Sequence, residues 1–264
     1  MQFKDQINRV FELHKTPKRI ISLVPSQTEL LVDLGLEDSI VGVTKFCIHP
    51  THLIKSKTVV GGTKNIKIDV IKNLQPDIIL CNKEENTKEI VEICEQIAPT
   101  HVSDIFTIDD VKELFSSYGK LFSKEDEALQ MIDNLSIKIN DFNTFVNNKK
   151  TVKVAYLIWR NPWMAAANQT FINHLLAINK FENVFKNEAR YPEITLDDIT
   201  SKKATFILLS SEPYPFKEKH FSEITEHIKN TTPILVDGEY FSWYGSRLLK
   251  AFDYFKNLHR NRTW

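Results

Sequence analysis

The chain has 264 residues, of which 42% are hydrophobic and 26% charged, a composition typical of a folded globular protein with one large core or two ordinary ones. Its 34 basic and 34 acidic residues balance, so the net charge gives no reason to expect nucleic acid or an anionic membrane surface as a partner. Three cysteines without a CxxC pair argue against a disulfide framework and a structural zinc site. GxGxxG, GxxxxGK[ST], HExxH and GxSxG are all missing, which removes the commonest nucleotide-binding and hydrolase motifs.

Residues 19–50 predict a strand, a turn, a helix and a second strand. Ile20–Val24 is a short apolar run rich in branched residues, as a buried strand requires. Ser26 and Glu29 then fit a capping box, in which Ser26 caps a helix and Glu29 bonds back to the N–H of the cap. Because ligands of open α/β sheets lie beyond the carboxyl ends of strands, this segment predicts a binding edge.

Strand and helix patterns alternate along the rest of the chain. Further strands are predicted at Ile40–Val43, Asp77–Cys81, His101–Val102, Val152–Trp159, Thr205–Ser210 and Pro233–Val236. Helices are predicted at Asp69–Leu74, Asn86–Ile97, Thr170–Lys180, Lys217–Lys229 and Ser246–Leu258. This alternation is typical of parallel sheets that helices cover on both faces.

One long helix is predicted in the middle of the chain, where neither glycine nor proline occurs between Gly119 and Pro162. Apolar residues recur there at steps of three and four: Ile132, Leu135, Ile139, Phe142 and Val146. A helix over about Ser123–Asn148 would be roughly 39 Å long. We therefore predict an α/β fold with an N-terminal lobe at 1–120, a connecting helix at 121–150 and a C-terminal lobe at 151–264.

Seven segments carry a family resemblance: PKRIISLVPSQTELLVDLGL (17–36), VGVTKFCIHP (41–50), VVGGTKN (59–65), LQPDIILCNKEENTKEIV (74–91), AYLIWRNPW (155–163), TFINHLLAINKFENVF (170–185) and FSWYGSRL (241–248). Together they resemble the helical-backbone class (class III) of periplasmic substrate-binding proteins, above all its cobalamin branch. Proteins of this class serve ABC importers for cobalamin, ferric siderophores and haem. The resemblance implies two lobes on a stiff helix, a ligand cleft between them, no catalysis, and a monomer that delivers its ligand to a permease.

The resemblance also implies that acidic residues on each lobe dock onto arginines of the permease. In the C-terminal lobe, Asp197 stands where the docking carboxylate is expected. In the N-terminal lobe, Lys88 stands at the nearest matching position, with Glu85 and Glu89 beside it. This lobe therefore departs from the family pattern, and Glu85 and Glu89 are its predicted docking residues.

Aromatic residues near predicted strand ends are the first candidates for ligand contacts. Trp159 and Trp163 offer rigid apolar area to a large flat ligand, although ordinary core packing is the alternative. Trp243, Tyr244 and Arg247 follow the strand at Pro233–Val236. Arg247 suits a ligand carboxylate, amide or phosphate, or else a structural salt bridge.

Four more residues complete the predicted ligand set. Ser26 and Gln27 lie at a helix N-terminus and can donate to polar groups of a ligand, with simple capping as the alternative for Ser26. Phe46 and Cys47 lie in a loop after a strand and are expected to line the cleft. Tyr191 stands where family members often present an aromatic ring, and a surface turn is its alternative.

A metal-ligating or catalytic set is a weaker hypothesis. Cys47, His49 and His52 lie close together in sequence, and thiolate and imidazole both bind transition metals. No acidic third ligand stands nearby, and His101 joins them only if the fold brings it close. We therefore expect no bound cofactor and no enzymatic activity, with an enzyme built on this set as one alternative.

The predicted function is the capture of a cobalamin-like corrinoid or another metal chelate for an ABC permease. A ferric-siderophore or haem binding protein is one alternative, and an intracellular binder uncoupled from import is another. The resemblance places the protein in the periplasm or at a membrane. Residues 1–20 lack the apolar segment of a signal peptide, however, so as written the chain is expected in the cytoplasm unless a leader was removed.

Overall fold

The computed structural model describes residues 1–262 and 264, and the chain divides into two compact units. Unit 1 comprises Met1–Ser136 and Tyr244–Leu248, and unit 2 comprises Ile137–Trp243 and Leu249–Trp264. Each unit contains its own sheet with parallel strands, which confirms the predicted α/β class. Within the described residues, no helix combines the length and the hydropathy needed to cross a membrane.

Unit 1 is built on a five-stranded parallel sheet and also contains a two-stranded hairpin. The seven strands of the unit are β1 (Gln2–Lys4), β2 (Val10–Glu12), β3 (Ile20–Ser22), β4 (Ile40–Val43), β5 (Thr58–Val59), β6 (Ile78–Asn82) and β7 (Thr100–Ser103). Its helices are α1 (Pro25–Asp33), α2 (Leu53–Ser56), α3 (Ile68–Asn73), α4 (Lys88–Glu95) and α5 (Ile108–Phe122), with a 3-10 turn at Glu37–Ser39. The strand order is β5-β4-β3-β6-β7, while β1 and β2 form a separate antiparallel hairpin.

The capping box predicted at Ser26 and Glu29 is wrong. Helix α1 begins at Pro25, its cap position is Val24, and no side chain caps it. Proline suits the first turn because its missing N–H has no helical partner there in any case. Strand β3 correspondingly ends at Ser22, two residues earlier than predicted. Glu29 forms an ion pair with Arg247 and does not bond back to the start of the helix.

The long helix forms as predicted but is shorter, and a second helix that the sequence reading overlooked precedes it. Helix α6 (Glu125–Val146) has 22 residues, about 33 Å, and α5 lies directly before it. Ser123 separates them in the left-handed conformation, at φ 55°. Residues 125–136 of α6 belong to unit 1 and residues 137–146 to unit 2.

Unit 2 is built on a six-stranded sheet. Its strands are β8 (Val152–Trp159), β9 (Trp163–Ala165), β10 (Phe181–Asn183), β11 (Glu193–Ile194), β12 (Phe206–Ser210) and β13 (Thr232–Val236). Its remaining helices are α7 (Phe171–Ile178), α8 (Leu196–Ser201), α9 (Phe221–His227), α10 (Gly238–Ser242) and α11 (Leu248–Arg260), with a 3-10 turn at Glu218–His220. Strands β10, β8, β12 and β13 run parallel, whereas β9 and β11 add an antiparallel extension that was not predicted.

Phe142 anchors the last turns of α6 in unit 2. Its side chain is fully buried, and its ring centroid lies 5.5 Å from that of Phe252 and 6.0 Å from that of Phe255. Both partners are on α11. The C-terminal part of the predicted apolar stripe of α6 therefore packs against α11 through Phe142, and we call this contact the seam.

We expect Phe142→Ala to destabilise the protein by about 3 to 5 kcal/mol, because truncation removes buried area and leaves a cavity among aromatic rings. Circular dichroism during urea denaturation measures the loss. Asn143→Ala, at the next and exposed position of α6, is the control and should change stability by less than about 0.5 kcal/mol. Equal midpoints for the two variants would show that the seam contributes little.

Candidate functional site

The carboxyl ends of the five parallel strands of unit 1 meet at one side of the sheet, which we call the unit 1 edge. The loops after β3, β4, β5, β6 and β7 all begin there. These loops, the strand ends before them and the first turn of α1 carry predicted ligand residues together with polar residues that were not singled out: Ser26, Gln27, Phe46, Cys47, Thr63, Asn82, Glu85 and Ser103. The segment Tyr244–Leu248 also belongs to unit 1 and adds Tyr244 and Arg247. The structure therefore brings together most of the predicted ligand set.

Gln27 is the centre of a buried hydrogen-bond network at this edge. Its side chain is fully buried, and its amide nitrogen donates to Ser103 Oγ at 2.5 Å and to the Tyr244 hydroxyl at 3.2 Å. Its amide oxygen accepts from the Tyr118 hydroxyl at 2.6 Å. Because the oxygen and the nitrogen of the amide both form hydrogen bonds within the protein, Gln27 fixes the position of the Tyr244 hydroxyl.

Tyr244 is 6% exposed, and its hydroxyl lies among Gln27, Ser26 and Ser103. Burial raises the pKa of this phenol, and the nearby Glu85 raises it further. Tyr244 therefore stays a neutral hydroxyl at the edge. Ser26, also buried, contacts it and does not cap α1.

Arg247 forms a buried ion pair with Glu29. Its Nε donates to one carboxylate oxygen at 2.8 Å and its NH2 nitrogen to the other at 3.0 Å, a bidentate arrangement. Both side chains are at most 10% exposed. The Arg247 guanidinium, predicted to bind a ligand, thus forms an ion pair with a carboxylate of α1. This is the structural salt bridge that the sequence analysis gave as the alternative.

Cys47 is fully buried at the start of the loop after β4. Its sulfur lies 3.1 Å from Thr28 Oγ1 and 3.2 Å from Thr44 Oγ1. Burial raises the pKa of the thiol, which opposes the thiolate form that metal binding or nucleophilic attack needs.

Two of the histidines considered together with Cys47, His52 and His101, have other contacts. His52 Nε2 lies 2.7 Å from Glu37 Oε1, away from the thiol's own hydrogen bonds. His101 is fully buried and packs against Phe11 and Tyr118. Over the part of the chain that the structure describes, no group of three or more histidine, cysteine, aspartate or glutamate residues could hold a metal ion.

Phe46 presents an aromatic ring at the unit 1 edge. It is 48% exposed, its ring lies against Gly62, and the Lys45 ammonium stands 4.9 Å from the ring centroid. A Cβ at Gly62 would lie 3.2 Å from a ring carbon of Phe46, so glycine leaves room for the ring in its present position. The ring is held by packing while much of its surface stays open.

Glu85 lies in a tight loop that follows β6. The Asn82 side-chain oxygen accepts from the backbone N–H groups of Glu84 and Glu85 at 2.9 and 3.1 Å. The Asn86 amide donates to the Thr63 carbonyl at 2.9 Å and ties this loop to the one after β5. Glu85 is half-buried, and burial raises the pKa of its carboxyl.

In unit 2, the carboxyl ends of β8 and β12 carry an aromatic cluster, which we call the unit 2 edge. Trp159, the last residue of β8, is 39% exposed and meets Tyr214 edge-on at 5.7 Å. Trp163 stacks on Phe216 at 6.0 Å with the planes 3° apart, and Tyr214 joins the two pairs at 4.7 Å from Phe216. Trp159 therefore offers open ring surface, while Trp163 is more closely packed.

Arg160 is held beside this cluster. Its Nε donates to Glu223 Oε2 on α9 at 2.7 Å, which raises the pKa of the guanidinium, and the group stands 6.0 Å from the Trp163 ring centroid. The two remaining predicted residues of unit 2 lie in other contacts. Trp243 is 7% exposed and donates to Glu212 Oε1 at 2.9 Å, while Tyr191 is half-buried with Arg190 6.0 Å from its ring.

The predicted docking residues differ in exposure. The Asp197 side chain is 86% exposed and its Oδ1 lies 2.8 Å from His227 Nε2. Glu89 is exposed in the first turn of α4, where its bond to its own backbone N–H lowers the pKa of its carboxyl. Glu85, as described above, is half-buried among groups of the unit 1 edge. The docking role stays a prediction for all three.

Some residues of these edges were missed at the sequence level. Tyr214 and Phe216 follow β12 in a Pro-Tyr-Pro-Phe turn, so a turn rich in proline and aromatic residues after a buried strand was an available signal. Thr63, Ser103 and Tyr118 carried no such signal. Their roles depend on contacts with residues 22 to 91 positions away in the chain.

The family model described as "Periplasmic binding protein" matches residues 20–235, most of the chain. The chain belongs to the periplasmic binding protein family. Its fold is the class III form that the sequence resemblance indicated. The family is one of binding proteins.

Three similar proteins illustrate the range of the family. An uncharacterised ABC transporter substrate-binding lipoprotein of Bacillus subtilis is 23% identical over 201 residues, which cover 72% of this chain and 63% of that protein. A vitamin B12-binding protein of Vibrio campbellii is 22% identical over 195 residues, covering 73% of this chain and 70% of the relative. A solved haem-binding protein of Roseiflexus shares the fold with a TM-score of 0.77 at 14% identity, covering 92% of this chain and 98% of its own.

We expect Arg247→Met to destabilise this family member by about 3 to 5 kcal/mol, because Glu29 then stays buried without its guanidinium partner. The double variant Glu29→Leu/Arg247→Met should recover most of that loss. Urea denaturation measures both. Lys250→Met, an exposed cation three positions further on, is the control and should be nearly neutral. If the double variant is as unstable as the single one, the pair is not the source of the effect.

We expect His101 to make the protein less stable in acid. Burial lowers the pKa of His101 from 6.5 to about 4, against a small opposing effect of Asp5 and a small reinforcing effect of Arg9. Between pH 6.5 and pH 4, His101 is therefore protonated in the unfolded chain and neutral in the folded chain. Stability falls over that interval as the pH decreases, by up to about 3 kcal/mol from this residue.

His101→Phe keeps a ring between Phe11 and Tyr118 and removes the titration. The fall in thermal stability from pH 6.5 to pH 4 should be shallower in this variant than in the wild type, while His14→Gln, at an exposed position, should keep the wild-type slope. Burial also lowers the pKa of His259 to about 4, so part of the slope remains. An unchanged slope in His101→Phe would contradict the assignment.

Proposed function

We propose that this protein captures a cobalamin-like corrinoid and delivers it to an ABC-type permease. Membership of a family of binding proteins supports capture in place of catalysis. The observation that carries the choice of ligand class is one open aromatic ring in each unit: Phe46 in the loop after β4, and Trp159 at the carboxyl end of β8. Rings of this kind bind the faces and rims of large flat metal chelates at low entropic cost.

The polar part of the proposed contacts comes mainly from hydroxyl and acceptor groups. Tyr244 and Ser26 offer neutral hydroxyls at the unit 1 edge, and Glu85 offers a carboxylate. A corrinoid carries many side-chain amides, which pair with such groups. A ferric siderophore or haem is the alternative ligand, and sequence relatives that are named for vitamin B12 favour the corrinoid.

Delivery to a permease is the second part of the proposal. Asp197 and Glu89 are exposed carboxylates, suited to contact arginines of a membrane partner. The neighbouring His227 already contacts Asp197, so docking would replace this contact by one with an arginine of the permease. An intracellular binder of the same ligand, uncoupled from import, is the alternative, and it would bind the ligand equally well without contacting a permease.

The test is calorimetric titration of the protein with cyanocobalamin, with haem and a ferric hydroxamate as comparison ligands. We expect one-to-one binding of the corrinoid and much weaker heat from the other two. Trp159→Ala should weaken corrinoid binding about 10- to 100-fold through loss of ring contact, and Trp159→Phe should restore part of it. Leu129→Ala, at an exposed position on α6, is the control and should bind like the wild type.

Saturable binding of haem or the hydroxamate without binding of cyanocobalamin would keep the binding function and overturn the ligand. No measurable binding of any of the three ligands would overturn the proposal of a metal chelate altogether. Equal affinities for Trp159→Ala and the wild type would remove Trp159 from the site.

A further inference from the structure

Glu85 was predicted as a docking residue, but its surroundings are those of a ligand-facing group. It lies at the unit 1 edge, in the loop between β6 and α4, and its side chain is half-buried. The Thr63 hydroxyl donates to its carboxylate. The loop itself is held by Asn82 and Asn86, so the carboxylate has a fixed position.

The charged and titratable groups around Glu85 come from several elements. Lys64 lowers the pKa of its carboxyl and Glu84 raises it, while Tyr244 and Cys47 face it as neutral groups with raised pKa values. Lys64 is exposed, and its ammonium donates to the Glu84 carbonyl at 2.7 Å. Salt screens such an exposed cation more strongly than it screens a half-buried carboxylate.

Arg247 also belongs to the unit 1 edge, but its charge is paired within the protein. Its Nε and NH2 groups both donate to the Glu29 carboxylate. Lys45 stands over Phe46 and is exposed. Among these groups, Glu85 is a half-buried carboxylate whose cationic neighbour, Lys64, is exposed to solvent. A ligand that approaches the unit 1 edge beside Glu85 therefore meets hydroxyls and a carboxylate.

We propose that Glu85 determines ligand class at this edge, by accepting hydrogen bonds from amide N–H groups on the rim of a corrinoid and disfavouring ligands with carboxylates there. A carboxylate accepts from an amide in a charge-assisted hydrogen bond, whereas two carboxylates at the same place repel. Haem, which carries propionates, would be discriminated against by the same group. The inference rests on the proposed function and refines it from metal chelates in general to amide-bearing corrinoids.

Two corrinoids test this directly, because they share ring and metal and differ only at the rim. Dicyanocobinamide carries side-chain amides, and dicyanocobyrinic acid carries carboxylates in their place. The wild type should bind the amide form at least about tenfold more tightly, the size of one charge-assisted hydrogen bond. Glu85→Gln should reduce this ratio about tenfold, through weaker binding of the amide form and tighter binding of the acid.

Glu92→Gln is the matched control, since it removes the same charge from an exposed position on α4 and should keep the wild-type ratio. Thr63→Val is a second variant, which removes the hydroxyl that orients the carboxylate and should lower the ratio less than Glu85→Gln does. Circular dichroism confirms that each variant is folded. Both ligands are measured by absorbance titration at one pH and one salt concentration.

An unchanged ratio in Glu85→Gln, with the wild type binding both ligands, would overturn this inference and leave the proposed function standing. A wild type that binds the acid as tightly as the amide form would do the same. A wild type that binds neither corrinoid would overturn the proposed function itself.

Discussion

The arrangement of unit 1 depends on polar side chains of helix α1. Gln27 and Glu29 are buried and contact Tyr244 and Arg247, while the exposed Asp33 contacts Ser246. These contacts hold a segment that is more than 200 positions away in the chain. Gly245 completes the contact, because a Cβ at that position would come within 2.4 Å of the Ser26 carbonyl oxygen. Polar side chains buried this deeply are costly unless each has a partner, and here each has one.

This constraint explains why so few of the polar residues predicted to bind a ligand have hydrogen-bonding capacity to spare. Gln27 uses its amide on Ser103, Tyr118 and Tyr244, and Arg247 uses its fork on Glu29. The groups of the unit 1 edge that remain for a ligand are therefore those in its loops, such as Phe46 and Glu85. Hydrogen bonds and ion pairs within the fold thus limit which side chains can contact a ligand.

Much of the fold was predictable because burial leaves a local pattern. The branched apolar runs at Ile40–Val43 and Val152–Trp159 form strands with the predicted bounds, and the stripe of α6 forms the predicted helix. Helix α5 carried a readable signal that was overlooked, since Thr107 and Asp110 form a true capping box at its start. The apparent box at Ser26 failed because α1 begins at Pro25 with Val24 at the cap position, and Glu29 pairs with Arg247, far away in sequence.

The candidate site was less predictable for the same reason. Residue type identified the aromatic rings, but exposure separates Phe46 and Trp159 from Trp243, which is packed against Glu212. Exposure depends on contacts between loops, such as Gly62 beneath Phe46 and Tyr214 beside Trp159. Those contacts also fix the rings before any ligand arrives. A ring that is already held loses little entropy on binding, so the packing that the sequence could not show is also what favours these two rings as the proposed ligand contacts.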